Sequence, residues 1–405
     1  MQEILLARQP IVDRQETLVA FELLFRSVQA EGALNNTHAT AKVVVNAFEE
    51  MGIAQVLGSC KGYINLEAEF LYSDLIALLP RQQVVLELLE SIAVDAAMIG
   101  RCRELKAQGF SLALDDVVEL SDEISPLLDV VDVVKLDVMG IDPQRLPTLV
   151  QEFKRFPVQL LAEKVEDREQ ARRCLAMGFD LFQGYHFAHP ELLSGKRVHP
   201  SKLVLLRILA LMLSDAEDEK IEEAFKEYAD LAYSLMRMVN SVGTGLTTRV
   251  GSIRHGLMVL GRKPLQRWVQ LLLYASGKEE HKVSPLMQLA ATRGKMMELI
   301  ALQVRQGDHE YADRAFMVGS LSLLDALLGM PLSEVLARLS LHAEAEVAML
   351  GRGGQLGGFL DVCETLEKGD TRLVYERLRA YPGLTVNGLV KAELEAMAWA
   401  NNISV

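Results

Sequence analysis

The chain has 405 residues, 50% of them hydrophobic and 24% charged, with a formal net charge of −13. That is ordinary globular composition, which excludes a chain disordered throughout, and at roughly 100–200 residues per domain the length suits two domains. An acidic chain without a basic block makes a poor non-specific nucleic-acid binder, because phosphate contacts need Lys and Arg.

The N-terminal run MQEILLARQP carries Glu3 and Arg8, so it does not read as a signal peptide. ARQPIVD (7–13) is a candidate strand, and seven further apolar runs follow it. They are VAFELLF (19–25), KGYINL (61–66), QVVLELL (83–89), FSLALDDV (110–117), VDVVKLDV (131–138), VQLLAEKV (158–165) and LFQGYHFA (181–188). Short runs of this kind with no polar face suit parallel strands buried on both sides. Between them AVDAAMIGRCRELKAQG (93–109) and DREQARRCLAMG (167–178) have helical spacing, the second with a stop at Gly178. Alternation of strand and helix predicts an α/β barrel, TIM-like and small for its class. HPELLSGKRVHPSK (189–202) reads as the linker, giving domains at 1–195 and 196–405. Beyond it the strand pattern stops. LVLLRILALMLSD (203–215), EYADLAYSLMRMVNS (227–241), GSIRHGLMVLG (251–261), PLQRWVQLLLYASG (264–277), PLMQLAATRGKMMELIALQV (285–304) and ADRAFMVGSLSLLDALLG (312–329) predict an all-α second half. GRGGQLGG (351–358) follows a helix and reads as a helix break, not a phosphate loop. Leu203–Leu213 is the most apolar stretch, and Arg207 cuts it short of the ~18–20 residues of a membrane span. Cys60, Cys102, Cys174 and Cys363 stand far apart and fit buried free thiols in a reducing compartment. The expectation is a cytoplasmic protein with no membrane partner.

Polar residues recur at or just after the strand ends: Glu22, Asn65, Glu90, the pair Asp115 and Asp116, Lys135, Glu163 and Gln183. In a barrel these ends meet at one mouth, where such folds place their chemistry. Glu, Asn and Asp are hard oxygen ligands suited to Mg2+ or Mn2+, and a set this large has room for two ions of the kind that promote in-line attack on phosphodiesters. Lys135 is placed to polarise the attacking water, and Arg26 to clamp a phosphate.

The strings QPIVD (9–13), ELLFR (22–26), INL (64–66), ELLES (87–91), LDD (114–116), KLD (135–137), AEKVE (162–166) and QGYHFAHP (183–190) resemble, in order, the motifs of the EAL domain family. The resemblance implies a barrel that linearises cyclic di-GMP to pGpG with Mg2+ or Mn2+. It implies Lys135, Glu22 and Glu163 as catalytic residues. Glu22, Asn65, Glu90, Asp115 and Gln183 would be metal ligands, and Asp116 would be shared between two ions. Arg26, Gln9 and Pro10 would contact the nucleotide. One departure stands out. The family follows its paired aspartates with a Phe-Gly-Thr-Gly loop, and here the place reads VVELSDE (117–123) without a glycine. The family's loop-supporting glutamate, three residues past the Glu90 position, is Ala93.

LAYSLMRMVNS (231–241), the 251–273 stretch, ATRGKMMELIA (291–301) and DRAFMVGSLSLLDALLG (313–329) resemble the HDOD domain, a helical relative of the HD phosphohydrolases. None of the eight histidines is followed by Asp, so the His-Asp metal pair of those enzymes is missing. The resemblance implies a regulatory half that takes a protein partner. Three readings stay open: a cyclic-di-GMP phosphodiesterase, a degenerate barrel that senses the nucleotide without cutting it, and a scaffold that does neither. Homodimerisation is also open.

Overall fold

The computed structural model describes residues 3–28, 57–89, 92–184, 200–226, 255, 258, 261–274, 284–339 and 341–403. Strands β1 (Glu3–Asp13), β2 (Leu18–Val28), β3 (Lys61–Leu66), β4 (Val84–Leu88), β5 (Ser111–Val117), β6 (Val133–Asp137), β7 (Gln159–Glu163) and β8 (Leu181–Gln183) close into one barrel in chain order. The expected barrel is there, and ARQPIVD is its first strand. From β2 to β8 all neighbours are parallel, whereas β1 runs antiparallel to both β2 and β8. The cause is the link. Only residues 14–17 separate β1 from β2, far short of a parallel crossover, and Asp13 Oδ1 tightens the turn by accepting from Gln15 N and Thr17 N. The mouth therefore takes its β1 residue from mid-strand rather than from the C-terminal end.

Helices α1 (Ala68–Leu71), α2 (Ala96–Ala107), α3 (Leu146–Phe153) and α4 (Arg168–Met177) cover the barrel. Asp95 caps α2 by accepting from Met98 N, and Asp167 caps α4 by accepting from Gln170 N. Gly178 ends α4 in the left-handed region at φ +99°, as the sequence predicts. Each strand sends one residue into an inner apolar layer: Ile11, Ala20, Tyr63, Val85, Ala113, Val133, Leu161 and Leu181. The opposite parity, with Leu86, Leu112, Val134 and Leu160, packs against Cys102, Leu105, Leu149 and Phe153 of the helices.

From Pro200 the described chain is helical. It comprises α5 (Pro200–Leu213), α6 (Asp218–Lys226), α7 (Arg262–Leu272), α8 (Pro285–Val304), α9 (His309–Leu321), α10 (Leu324–Leu328), α11 (Leu332–Leu336), α12 (Ala343–Gly351), α13 (Gly354–Glu367), α14 (Thr371–Leu378) and α15 (Val386–Ile403). Pro200–Lys202, read as the end of the linker, form the first turn of α5, where proline costs no hydrogen bond. The rest of that linker lies outside the described residues, as do 185–188 of the last apolar run and 227–241. GRGGQLGG does break a helix, between α12 and α13. The helices share one apolar core that includes Met296 and Met297. Helices α13 and α15 lie against β1. There Arg8 sits over the Phe21 ring and donates to Thr292 Oγ1 of α8 at 3.0 Å, facing the buried Glu393 of α15. All four cysteines are buried and free, and among the described residues no helix is long and apolar enough to cross a membrane.

Candidate active site at the barrel mouth

Each inner-layer residue is followed two positions on, or preceded in the reversed β1, by a polar one. The register is Ile11 with Gln9, Ala20 with Glu22, Tyr63 with Asn65, Val85 with Glu87, Ala113 with Asp115, Val133 with Lys135, Leu161 with Glu163, and Leu181 with Gln183. Side chains in a strand alternate with period two, so a second, polar ring stacks directly on the apolar one. Strand pairing keeps it level: Asn65 lies beside Glu87, and Gln9 beside Glu22.

The Lys135 ammonium stands at the centre of this ring, 1% exposed. It lies 2.5 Å from Glu87 Oε1, 2.7 Å from Asp115 Oδ1, 2.8 Å from Glu163 Oε1 and 3.6 Å from Glu22 Oε2. Gln183 Nε2 donates to Glu22 Oε2 at 2.5 Å and to Gln9 Oε1 at 2.9 Å, while Asn65 Nδ2 donates to Glu22 Oε1 at 3.2 Å. Gln183 is held in place by the chain behind it. At Gly184, with φ +151°, a Cβ would come within 2.3 Å of the Val165 backbone, so only glycine lets β8 close against β7.

Four buried carboxylates around one ammonium leave a large negative excess if all are ionised. Burial pushes Glu87 well above the usual carboxylate range, and the Lys135 charge offsets only part of this. Burial likewise raises Asp115, and it raises Glu163 to about 7. Glu22 is the exception. Burial pushes it up, but the Lys135 charge and the donors on Gln183 and Asn65 outweigh that and hold it low. Lys135, although disfavoured by burial, is held firmly charged by Glu87, Glu22, Glu163 and Asp115.

Of the residues singled out in the sequence, the structure brings Glu22, Asn65, Asp115, Lys135, Glu163, Gln183 and Gln9 together. Asp116 is half-exposed on the rim, turned out by a bulge of β5 against β6 and by its own φ of +45°. Pro10 falls on the outward parity of β1, between Gln9 and Ile11. In β2, four residues past Glu22, the Arg26 backbone pairs with Leu5 of β1, and its side chain lies outside the described set. Glu90 also lies outside the described residues. Glu87, which the sequence reading passed over, is fully buried in the ring.

A divalent cation fits this donor set. Among the described residues no three His, Cys, Asp or Glu already converge as a metal cage, since the Lys135 ammonium holds the centre. Yet Asn65 Oδ1, Glu87 Oε2, Glu163 Oε2 and Gln183 Oε1 are buried oxygens with no hydrogen-bond donor. Hard oxygens, bare and in negative excess, are what Mg2+ or Mn2+ takes.

Residues 1–190 match the EAL domain and residues 201–338 the HDOD domain. The chain is 28% identical over 414 residues to the uncharacterized protein YuxH of Bacillus subtilis, covering 99% of this chain and 98% of that one. It is 28% identical over 408 residues to the cyclic di-GMP phosphodiesterase CdgJ of Vibrio cholerae, covering 98% and 92%. Among solved structures it is similar to a standalone EAL protein of Vibrio cholerae in its c-di-GMP bound form, at 24% identity and TM-score 0.38 over 46% of this chain and 91% of that one. It is also similar to BlrP1 of Klebsiella pneumoniae in a manganese/cy-diGMP complex, at 24% identity and TM-score 0.37 over 46% and 55%.

Proposed function

The chain is an EAL domain joined to an HDOD domain, and from that premise we propose that its barrel hydrolyses cyclic di-GMP to pGpG with Mg2+ or Mn2+. The observation that carries the reading is the Lys135 ammonium held by Glu22, Glu87, Asp115 and Glu163 at the barrel mouth. Water adds to one phosphorus of the cyclic dinucleotide, the P–O3′ bond breaks, and the 3′ oxygen takes up the proton that the water gives up. A divalent ion, held by Glu22, Asn65, Glu87, Asp115, Glu163 and Gln183, would supply Lewis-acid charge at the phosphate and a more acidic water. Lys135 Nζ offers protons to orient that water and offsets the negative charge that builds on the phosphorane. Glu163 holds a proton up to about pH 7, within reach of the same reaction space. Lys135, Gln183 and Asn65 keep the Glu22 carboxylate ionised, and Gln9 holds Gln183 in place by accepting from its Nε2.

The test is incubation of the purified chain with cyclic di-GMP and Mn2+, with pGpG followed by chromatography. Lys135→Ala should lower the rate by at least about 100-fold, the scale of a lost proton-transfer or electrostatic group. Glu87→Gln should do the same while preserving side-chain shape. A second reading is carried by the glycine-free VVELSDE stretch: a barrel that binds the nucleotide without cutting it and signals through the helical half. Calorimetric binding with no pGpG would select it. In either case the helical half serves as the output, presenting a surface to a protein partner.

A further inference from the structure

Lys164 lies in the AEKVE stretch, of which the proposed chemistry uses only Glu163, and its geometry is unusual. It directly follows Glu163 and sits at φ +57°, in the left-handed region that side chains other than glycine seldom occupy. Its ammonium reaches across two neighbouring strand ends. It lies 2.5 Å from Asp137 Oδ2 at the end of β6 and 3.3 Å from Asp116 Oδ1 at the end of β5. Asp137 is locked from behind, since its Oδ1 accepts from Met139 N and Gly140 N. Asp116 is itself at φ +45°. Two non-glycine residues, Asp116 in β5 and Lys164 just past β7, thus take left-handed backbones, and they form one ion pair.

The mouth therefore has two tiers. Lys135 is the cation of the inner tier and Lys164 of the outer. The inner cation is fully buried, while the Lys164 side chain is 53% exposed and free to leave if something better arrives. Asp116 is the residue that resemblance makes common to two metal ions, so Lys164 stands where a second ion would take its shared ligand. We propose that Lys164 is a built-in competitor for Asp116, weakening the second divalent ion while leaving the first, held by the inner ring, untouched. This rests on the metal-binding reading above. Lys164 is a positioning residue here and touches neither water nor phosphate.

Titration of the full chain with Mn2+ alone, by calorimetry and by electron paramagnetic resonance, tests it. Lys164→Gly and Lys164→Asn both tolerate a left-handed backbone and lack the charge. Each should tighten the weaker Mn2+ site by about threefold, the scale of the one part-exposed ion pair with Asp116, with the tighter site unchanged. Spin-coupled Mn2+ pairs should appear at lower metal concentration, and Lys164→Arg should behave as wild type. Equal tightening of both sites would reduce Lys164 to general surface charge and overturn the proposal. No change in either site would overturn it too, with the metal reading intact. Absence of Mn2+ binding by every form would overturn both readings together.

Discussion

Among the described residues each half of the molecule buries one cation completely, and the two are treated in opposite ways. In the helical half Arg293, 1% exposed, is fully served. Its Nε and one terminal nitrogen form a two-point contact with Glu367 at 2.8 and 2.5 Å, and the other nitrogen donates to Ser322 Oγ at 2.7 Å. Glu364 stands further off at 3.5 Å and is shared with Arg352. A planar guanidinium matches that geometry. In the barrel Lys135 has three protons for four carboxylates, two amide oxygens nearby have no donor, and three acids are driven upward in pKa. A satisfied buried charge is architecture. An unsatisfied one stores free energy that a ligand can release, which is why the same degree of burial marks a strut in one half and a site in the other.

The sharpest way to break this comparison is to remove the strut. Arg293→Ala should cost about 3–5 kcal/mol, because Glu367 loses its two-point partner inside the helical core while Glu364 keeps only Arg352. Denaturant unfolding would read this, and an unchanged midpoint would show the pair to be ornamental. Next in size is filling the site. Mn2+ at a hundredfold excess over its Kd should stabilise the chain by about 2.7 kcal/mol, with a chelator reversing it. The gain should be larger at pH 8 than at pH 6, since below about 7 Glu163 keeps its proton and the cation must displace it. A melting shift that is flat across this range would count against Glu163 as part of the donor set.

A pH-dependent effect lies at the seam between the halves. Burial raises Glu393 from 4.5 to about 8, against the pull of Arg8. The folded state therefore binds this proton more tightly than the unfolded chain. The stability it contributes is complete below 4.5 and is lost as pH rises to about 8, at up to about 1.4 kcal/mol per pH unit. Glu393→Gln should flatten the fall of melting temperature over that window, and an unaltered slope would place the titration elsewhere.

How much of this the sequence makes legible depends on what kind of signal each feature leaves. The barrel is legible because buried parallel strands are apolar on both faces. The direction of β1 was equally open to reading in the length of its link, which no parallel crossover could fit. Most of the ring is legible because each strand ends in an unlike residue. Glu87 was missed because ELLES offers two glutamates, and strand ends were read by position instead of parity. Counting two from Val85 picks out Glu87, while Glu90 sits at odd spacing. Lys164 left no periodic trace, since its role depends on a left-handed backbone and on a contact with Asp116 across 48 residues. In the helical half apolar spacing reveals helices, but the Arg293 cluster joins α8, α13 and the end of α9, and no local pattern connects them.

Thermal unfolding of Glu87→Gln beside wild type, with and without Mn2+, tests the central claim most directly. If the ring is strained by excess charge that a cation relieves, the metal-free variant melts at or above wild type, and its Mn2+-induced rise is lost or sharply reduced. A variant that melts well below wild type without metal, and still gains the full Mn2+ shift, would show Glu87 to be a strut like Arg293 and would contradict the account.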